Sequence, residues 1–140
     1  MAGKPVLLIT RRLTDAVQAR AARDYQVILN DADHVFSREE LLARCQDVDA
    51  VLPCHSEHFS ADVIADLGDR LRIIANHSVG VDHVDLEAAK KAGITVTNTP
   101  DVLSDATAEI AMLCMLGAAR RGAEGDAMVR AGKWDFWSPA

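Results

Sequence analysis

The sequence predicts an α/β fold, a doubly wound parallel sheet of about five strands followed by a long helix and an extended arm. Two observations carry this. Five short apolar runs, Val6–Thr10, Gln26–Asn30, Ala50–Cys54, Leu71–Ala75 and Ile94–Asn98, alternate with four helical patterns. Four of the runs are rich in Val and Ile with little polar alternation, as expected of strands covered on both faces. From Ser104 onward the alternation stops, and a single long apolar segment takes over.

The helical patterns are Thr14–Arg23, Ser37–Gln46, Ser60–Leu67 and Asp85–Ala92. Thr14 and Ser60 stand where an N-cap is wanted, and Ser37 with Glu40 three residues on makes a capping box. The fourth helix opens at Asp85 and closes at Gly93, where a left-handed residue is expected. Strand–helix alternation of this kind builds a parallel sheet. Ligands of such sheets sit beyond the carboxyl ends of the strands near the switch in strand order, which points to the loops after Thr10, Cys54, Ala75 and Asn98.

Ser104 is placed to cap a helix running to about Arg121, roughly 27 Å long at the usual rise. Its middle, IAMLCMLGAA, is apolar on every face, and a helix of that kind is normally buried all round. A five-stranded domain covers one side at most, so a further surface is expected on the rest. The final stretch carries Trp134, Phe136 and Trp137 with little core of its own.

With 49% hydrophobic and 26% charged residues, the composition is that of a globular protein, and disordered or collagen-like classes drop out. A formal net charge of −6 without any basic run argues against nucleic acid and anionic membranes as partners. The longest nearly apolar stretch, Ile110 to Ala119, is about half a membrane span, and the N-terminal apolar run is too short for a signal peptide. Three cysteines, Cys45, Cys54 and Cys114, in no metal-type spacing read as reduced thiols, so a cytoplasmic location is expected.

The loop Asn76-His77-Ser78-Val79-Gly80-Val81-Asp82 follows the fourth strand. Gly80 permits close approach of a ligand to main-chain N–H groups, and consecutive amides turned to one point suit a carboxylate. A simple turn is the plainer alternative. His77 reads as a solvated loop residue with a pocket-facing position as the alternative, and His83 as a surface or helix-entry residue. No metal is expected: His55 and His58 beside Cys54 put three donors on one loop without setting a tetrahedral cage. Arg11-Arg12 after the first strand fits neither the acidic residues of a phospho-receiver nor the hydroxyl- and Gly-rich phosphate loop of a flavin protein.

Residues 76–134 resemble the D-isomer-specific 2-hydroxyacid dehydrogenases, with a flavour of glyoxylate/hydroxypyruvate reductases. The residues that carry this are Ser78-Val79-Gly80 with Asp82, Asp85, Ala88-Ala89 and the run Gly93-Ile94, Val96, Asn98-Thr99-Pro100. Further along are Val102-Leu103, Thr107-Ala108-Glu109, Ala119-Arg120-Arg121, Glu124-Gly125-Asp126, Arg130 and Gly132-Lys133-Trp134. So many residue types in one register make chance a poor explanation. Before residue 70 the likeness rests on the order of strands and helices.

The resemblance implies a flavodoxin-like substrate-binding domain over residues 1–100. Residues 101–140 would form an inter-domain and dimerisation helix and arm leading toward a Rossmann cofactor domain. It implies that Ser78, Val79 and Gly80 hold a substrate carboxylate, chiefly through the amides of Val79 and Gly80. Cys54, His55 and Ser56 would line the substrate pocket, and Thr107 would sit near the nicotinamide end of NAD or NADP. The substrate would be a small 2-oxo or 2-hydroxy acid such as glyoxylate or hydroxypyruvate, and residues 104–137 would pair two chains in a homodimer. The sequence departs from the family at its downstream end. It holds no Gly-x-Gly-x-x-Gly, and the family's catalytic Arg, Glu and His fall beyond Ala140, as does the helix that returns to the substrate domain. The expectation is a substrate-domain fragment that binds no cofactor tightly and is inactive by itself; a free-standing carboxylate-binding or dimerisation module is the alternative.

Overall fold

The computed structural model describes residues 3–137, so the outermost residues of the two expected segments, 1–2 and 138–140, lie outside the described residues. The chain divides into two compact units, Met1–Pro100 and Asp101–Ala140.

In the first unit the strands are β1 (Val6–Ile9), β2 (Gln26–Leu29), β3 (Ala50–Leu52), β4 (Ile73–Ala75) and β5 (Thr95–Thr97). Between them run α1 (Asp15–Asp24), α2 (Arg38–Cys45), α3 (Ala61–Asp66) and α4 (Leu86–Lys91). All four pairings are parallel in the order β2-β1-β3-β4-β5, with Leu8 opposite both Ile28 and Val51. Each strand is trimmed by a residue or two relative to its apolar run, at the carboxyl end in β1, β2 and β3, at the amino end in β4 and at both ends in β5.

Alternation along β1 splits the core. Val6 and Leu8 join Val51 and Ile74 in the larger cluster, which α2, α3 and α4 cover through Leu41, Cys45, Val63, Ile64 and Ala89. Leu7 and Ile9 join Ala50 on the opposite face, where Ala21 of α1 packs but α1 buries no residue completely. Leu13, Val27, Leu29, Leu52 and Ile73 pack partly buried around them, so this face is covered too, with less of each side chain enclosed.

Local signals act where expected, with two exceptions. Ser37 Oγ accepts from the Glu40 amide while the Glu40 carboxylate accepts from the Ser37 amide, completing the capping box. Asp85 caps α4 by accepting from the Ala88 amide, and Gly93 closes it at φ 72°. Thr14 and Ser60 occupy N-cap positions without a side-chain cap bond; the Ser60 hydroxyl is committed to Asp62.

The second unit holds α5 (Ser104–Ala119) and α6 (Gly122–Arg130). Here two expectations need correction. Leu103, not Ser104, is the N-cap of α5, so the Ser104 hydroxyl lies inside the first turn and caps nothing. The segment beyond Arg121 is not extended throughout, since α6 occupies more than half of its described residues, 122–137, and ends at Arg130. The break between the helices falls at Arg121, which adopts a left-handed φ of 52°. Gly122 approaches Gly117 there, and a Cβ on Gly122 would stand 3.5 Å from the Gly117 Cα. No residue of α5 or α6 is buried. No helix among the described residues is long and apolar enough to cross a membrane.

Candidate functional site

With all strands parallel, every carboxyl end lies on one edge of the sheet. The order β2-β1-β3-β4-β5 reverses direction between β1 and β3, so the crevice of this fold opens beyond those two ends. A cavity of about 320 Å³ lies there. Its walls are Arg11, Arg12 and Leu13 after β1, Asp33 after β2, Cys54, His55 and Ser56 after β3, and His77 after β4.

The walls are tied by polar contacts between loops. Arg11 Nε donates to Asp33 Oδ1 at 2.9 Å, and its Nη2 donates to the Asp33 carbonyl at 3.2 Å. A longer 3.4 Å contact takes Arg11 Nη1 to Ser56 Oγ. Asp33, itself at a left-handed φ of 49°, also accepts from the Arg12 amide at 2.8 Å. These bonds hold the Asp33 carboxyl below its ordinary range and the Arg11 guanidinium above its own. Asn30, at the end of β2, is buried and donates from Nδ2 to the carbonyls of Thr10 and His34.

Beneath the cavity lies Glu57, 2% exposed. Its Oε2 accepts from Thr10 Oγ1 at 2.8 Å and, at 3.4 Å, from the Cys54 amide; Oε1 has no partner among the described residues. Burial, then the nearby Glu57, push the Cys54 thiol upward against the opposing pull of Arg11, so the thiol is neutral near pH 7. Cys54 Sγ stands 3.6 Å from His77 Nδ1, and the His77 amide donates to the Pro53 carbonyl at 2.8 Å. His77 thus takes the pocket-facing alternative.

The neighbouring loop is shaped by its own side chains. Ser78 Oγ donates to the Gly80 carbonyl at 2.7 Å, Asn98 Nδ2 donates to the Val79 carbonyl at 2.9 Å, and the Thr99 amide donates to the Ser78 carbonyl. All three spend donors on loop carbonyls, while the amides of Val79 and Gly80 donate to no acceptor among the described residues. Val79 is 39% exposed and Gly80 is exposed as well.

His83 departs from its expected surface position. It is buried, with Nε2 2.8 Å from Asn76 Oδ1. Since the Asn76 amide nitrogen donates to the Thr97 carbonyl, Oδ1 is the acceptor and His83 Nε2 carries the proton. Burial, and after it His58 and His55, depress the imidazole below its ordinary value and keep it neutral. The backbone around it clamps the loops after β3 and β4, through the Phe59 amide to the His83 carbonyl and the Asp85 amide to the Phe59 carbonyl.

Of the residues singled out from sequence, Cys54, His55 and Ser56 share one cavity, and Ser78, Val79 and Gly80 form the adjoining loop. Thr107 lies in the first turn of α5, in the other unit. Arg11, Arg12, Asp33, Glu57 and His77 were not picked out as site residues. For Arg11 and Arg12 a signal existed, since they directly follow the strand at the switch point; for Asp33 and Glu57 it did not. Gly122 and Gly125 lie inside α6, and no strand among the described residues leads into them.

A family model for the catalytic domain of D-isomer-specific 2-hydroxyacid dehydrogenases matches residues 7–133. This chain belongs to that family. It is 43% identical over 131 residues to a glyoxylate reductase of Thermococcus onnurineus, covering 94% of this chain and 39% of that protein. To a glycerate dehydrogenase of Hyphomicrobium methylovorum it is 40% identical over 136 residues, covering 97% and 42%. Among solved structures it superposes with a TM-score of 0.88 and 41% identity on an NAD-binding D-isomer-specific 2-hydroxyacid dehydrogenase from Polaromonas sp. JS6 66, covering 98% of this chain and 43% of that one. The chain therefore spans about two fifths of the length of the relatives it matches. The family model's match begins in the first strand, so the family likeness includes the half of the chain that the sequence pattern supports only through element order.

Proposed function

We propose that this chain is the substrate-binding portion of an NAD(P)-dependent D-2-hydroxyacid dehydrogenase that reduces a small 2-oxo acid such as glyoxylate or hydroxypyruvate. Residues 1–100 form the substrate domain, and residues 101–140 lead toward a cofactor domain and pair two chains. One observation carries the site assignment: the unspent, exposed amides of Val79 and Gly80 stand beside a donor-rich cavity at the switch point. Amides that a loop leaves free while its side chains satisfy the carbonyls suit an incoming carboxylate. Cys54, His55 and Ser56 would face the rest of the substrate, and Thr107 would meet the nicotinamide end of the cofactor. The free thiols Cys45, Cys54 and Cys114 agree with a cytoplasmic setting.

Hydride transfer needs a donor that these residues do not cradle, so the chain alone is read as binding substrate without reducing it. The test has two arms. Adding glyoxylate or hydroxypyruvate to the ¹⁵N-labelled chain should move the Val79 and Gly80 amide signals in a saturable way. Joining the chain to the cofactor domain of the Thermococcus onnurineus relative should give a protein that oxidises NADH with one of these acids. A joined protein that folds, binds NADH and reduces no small 2-oxo acid defeats the activity, and unmoved amides defeat the carboxylate site.

A second reading, an assembly module without dehydrogenase chemistry, is favoured by the exposed apolar residues of α5. Ile110, Met112, Leu113, Met115 and Leu116 are each more than half exposed. On either reading this surface is the homodimer interface.

A further inference from the structure

We propose that the cavity between the ends of β1 and β3 is an oxyanion subsite, so that the preferred substrate is a 2-oxo acid carrying a second anionic group, a carboxylate or a phosphate. This rests on the reading of Val79 and Gly80 as holders of the first carboxylate.

The argument is an accounting of donors and charge. Two arginines and one carboxylate, Arg11, Arg12 and Asp33, line this cavity, and the Arg11 guanidinium is paired with Asp33 directly. Arg11 spends Nε and one Nη2 proton on Asp33 and makes only a long contact to Ser56, which leaves N–H groups unspent. The Arg12 guanidinium makes no hydrogen bond or ion pair among the described residues, although its backbone amide is fixed on Asp33. Glu57 is buried behind the wall and offers no surface to a ligand. Cys54 is neutral, and Ser56 and the imidazoles of His55 and His77 add further polar contacts. On the cavity surface two arginines stand against one carboxylate, with the Glu57 carboxyl close behind, so the excess of this wall is one of hydrogen-bond donors. A guanidinium pair is suited to planar or tetrahedral oxyanions.

Placement supports the same conclusion. His77 lines the cavity and stands two residues before Val79 on the same loop, so one small molecule with anionic groups at its two ends could engage both. Glyoxylate has no tail to reach Arg12. The volume of about 320 Å³ leaves room for a carboxylate or phosphate with its adjoining carbon.

The experiment titrates the ¹⁵N-labelled 140-residue chain at fixed ionic strength with two matched pairs of acids. One pair is 2-oxoglutarate against 2-oxopentanoate; the other is 3-phosphohydroxypyruvate against 3-hydroxypyruvate. In at least one pair the di-anion should bind about tenfold more tightly, with the Arg11 and Arg12 Nε–H signals moving. In the Arg12→Gln chain that ratio should fall to near one. An advantage in the first pair alone assigns a carboxylate tail, and in the second alone a phosphate tail. Equal affinities within both pairs overturn the proposal, as does an advantage that survives Arg12→Gln. The underlying reading fails separately, by Val79 and Gly80 signals that stay still with every acid. Were the Arg12 signal still to respond to the di-anions, the subsite would stand without it. No binding by any acid overturns both.

Discussion

Thr10 Oγ1 donates a 2.8 Å hydrogen bond to Glu57 Oε2, joining the end of β1 to the loop after β3 inside the protein. Both residues are buried, Thr10 at 0% and Glu57 at 2% exposure. The bond crosses the switch point of the sheet, directly under the cavity whose walls those two segments supply.

Breaking it should therefore cost both stability and site geometry. Glu57→Ala strands the Thr10 hydroxyl and the Cys54 amide and leaves a void, a loss of about 2–3 kcal/mol. Glu57→Gln keeps an acceptor for Thr10 and should cost less than half as much. Urea unfolding of the three proteins measures this, and equal stability of Glu57→Ala and the parent would show that the buried bond contributes nothing net.

Asp49 gives the fold an acid-sensitive joint. Its carboxylate accepts from Arg70 Nε and Nη2 at 2.8 Å each and from the Val6 amide at 2.6 Å, and these bonds hold it down at about 2 against an ordinary 3.8. A depressed carboxyl stabilises the fold above its unfolded value, and that contribution is lost as pH falls from about 3.8 toward about 2. Asp49→Asn should lower the melting temperature at neutral pH and flatten its acid dependence over that window. Melting curves for Asp49→Asn that stay parallel to the parent's through the window would contradict the assignment.

Gly68 is fixed by proximity. A Cβ there would overlap the Gln46 carbonyl oxygen and crowd its backbone carbon, atoms that cannot swing aside as a side chain would. Gly68→Ala should destabilise the first unit by about 2 kcal/mol through forced separation of these segments, read from the urea midpoint. Gly80→Ala is the contrast, because its Cβ would meet only the Asp82 carboxylate at 3.2 Å, a movable group. It should change stability by less than about 1 kcal/mol.

These residues also show what a linear reading can and cannot see. Periodicity and capping made five strands and four helices legible, down to the Ser37–Glu40 box, since each is set by neighbours within a few positions. The rule that ligands meet strand ends points to the loop after Cys54, and it is the family resemblance that names Cys54, His55 and Ser56 within it. Glu57 was not, because its burial depends on Thr10, 47 positions away. His83 looked like a surface residue next to Asp82, yet its environment is made by Asn76 and the Phe59 backbone. Asp33 likewise acquires its role only when Arg11 is brought across from the end of β1. The helix α6 takes up the segment around Gly122 and Gly125, which has a helical pattern that the expected extended arm leaves out of account.

Asn98 should control the neighbouring loop. Its Nδ2 bond to the Val79 carbonyl fixes the peptide whose partner amide belongs to Gly80. Asn98→Ala removes that restraint and should raise amide exchange at Val79 and Gly80 while weakening 2-oxo acid binding about fivefold. Unchanged exchange at both positions would show that the Ser78 hydroxyl and the Thr99 amide hold the loop unaided.

The apolar girth of α5 leads to the last expectation. Ile110, Met112, Leu113, Met115 and Leu116 point in all directions around the helix, and none is buried within the chain. Trp134, Phe136 and Trp137 add three more exposed large side chains, at 61%, 77% and 76% exposure. Burying such a surface between two copies of the chain would satisfy it, and residues 104–137 are read as that interface. Leu113, 65% exposed, belongs to no core cluster of the first unit, so Leu113→Glu should leave the sheet's unfolding unchanged. In a dimer the same change buries a charge without a partner, a cost of about 3 kcal/mol or more and so at least roughly a hundredfold in dissociation constant. Sedimentation equilibrium at micromolar concentration should find the parent dimeric and the variant monomeric. A monomeric parent that binds no hydrophobic dye, or a variant that assembles as well as the parent, would rule out this face as the contact between chains.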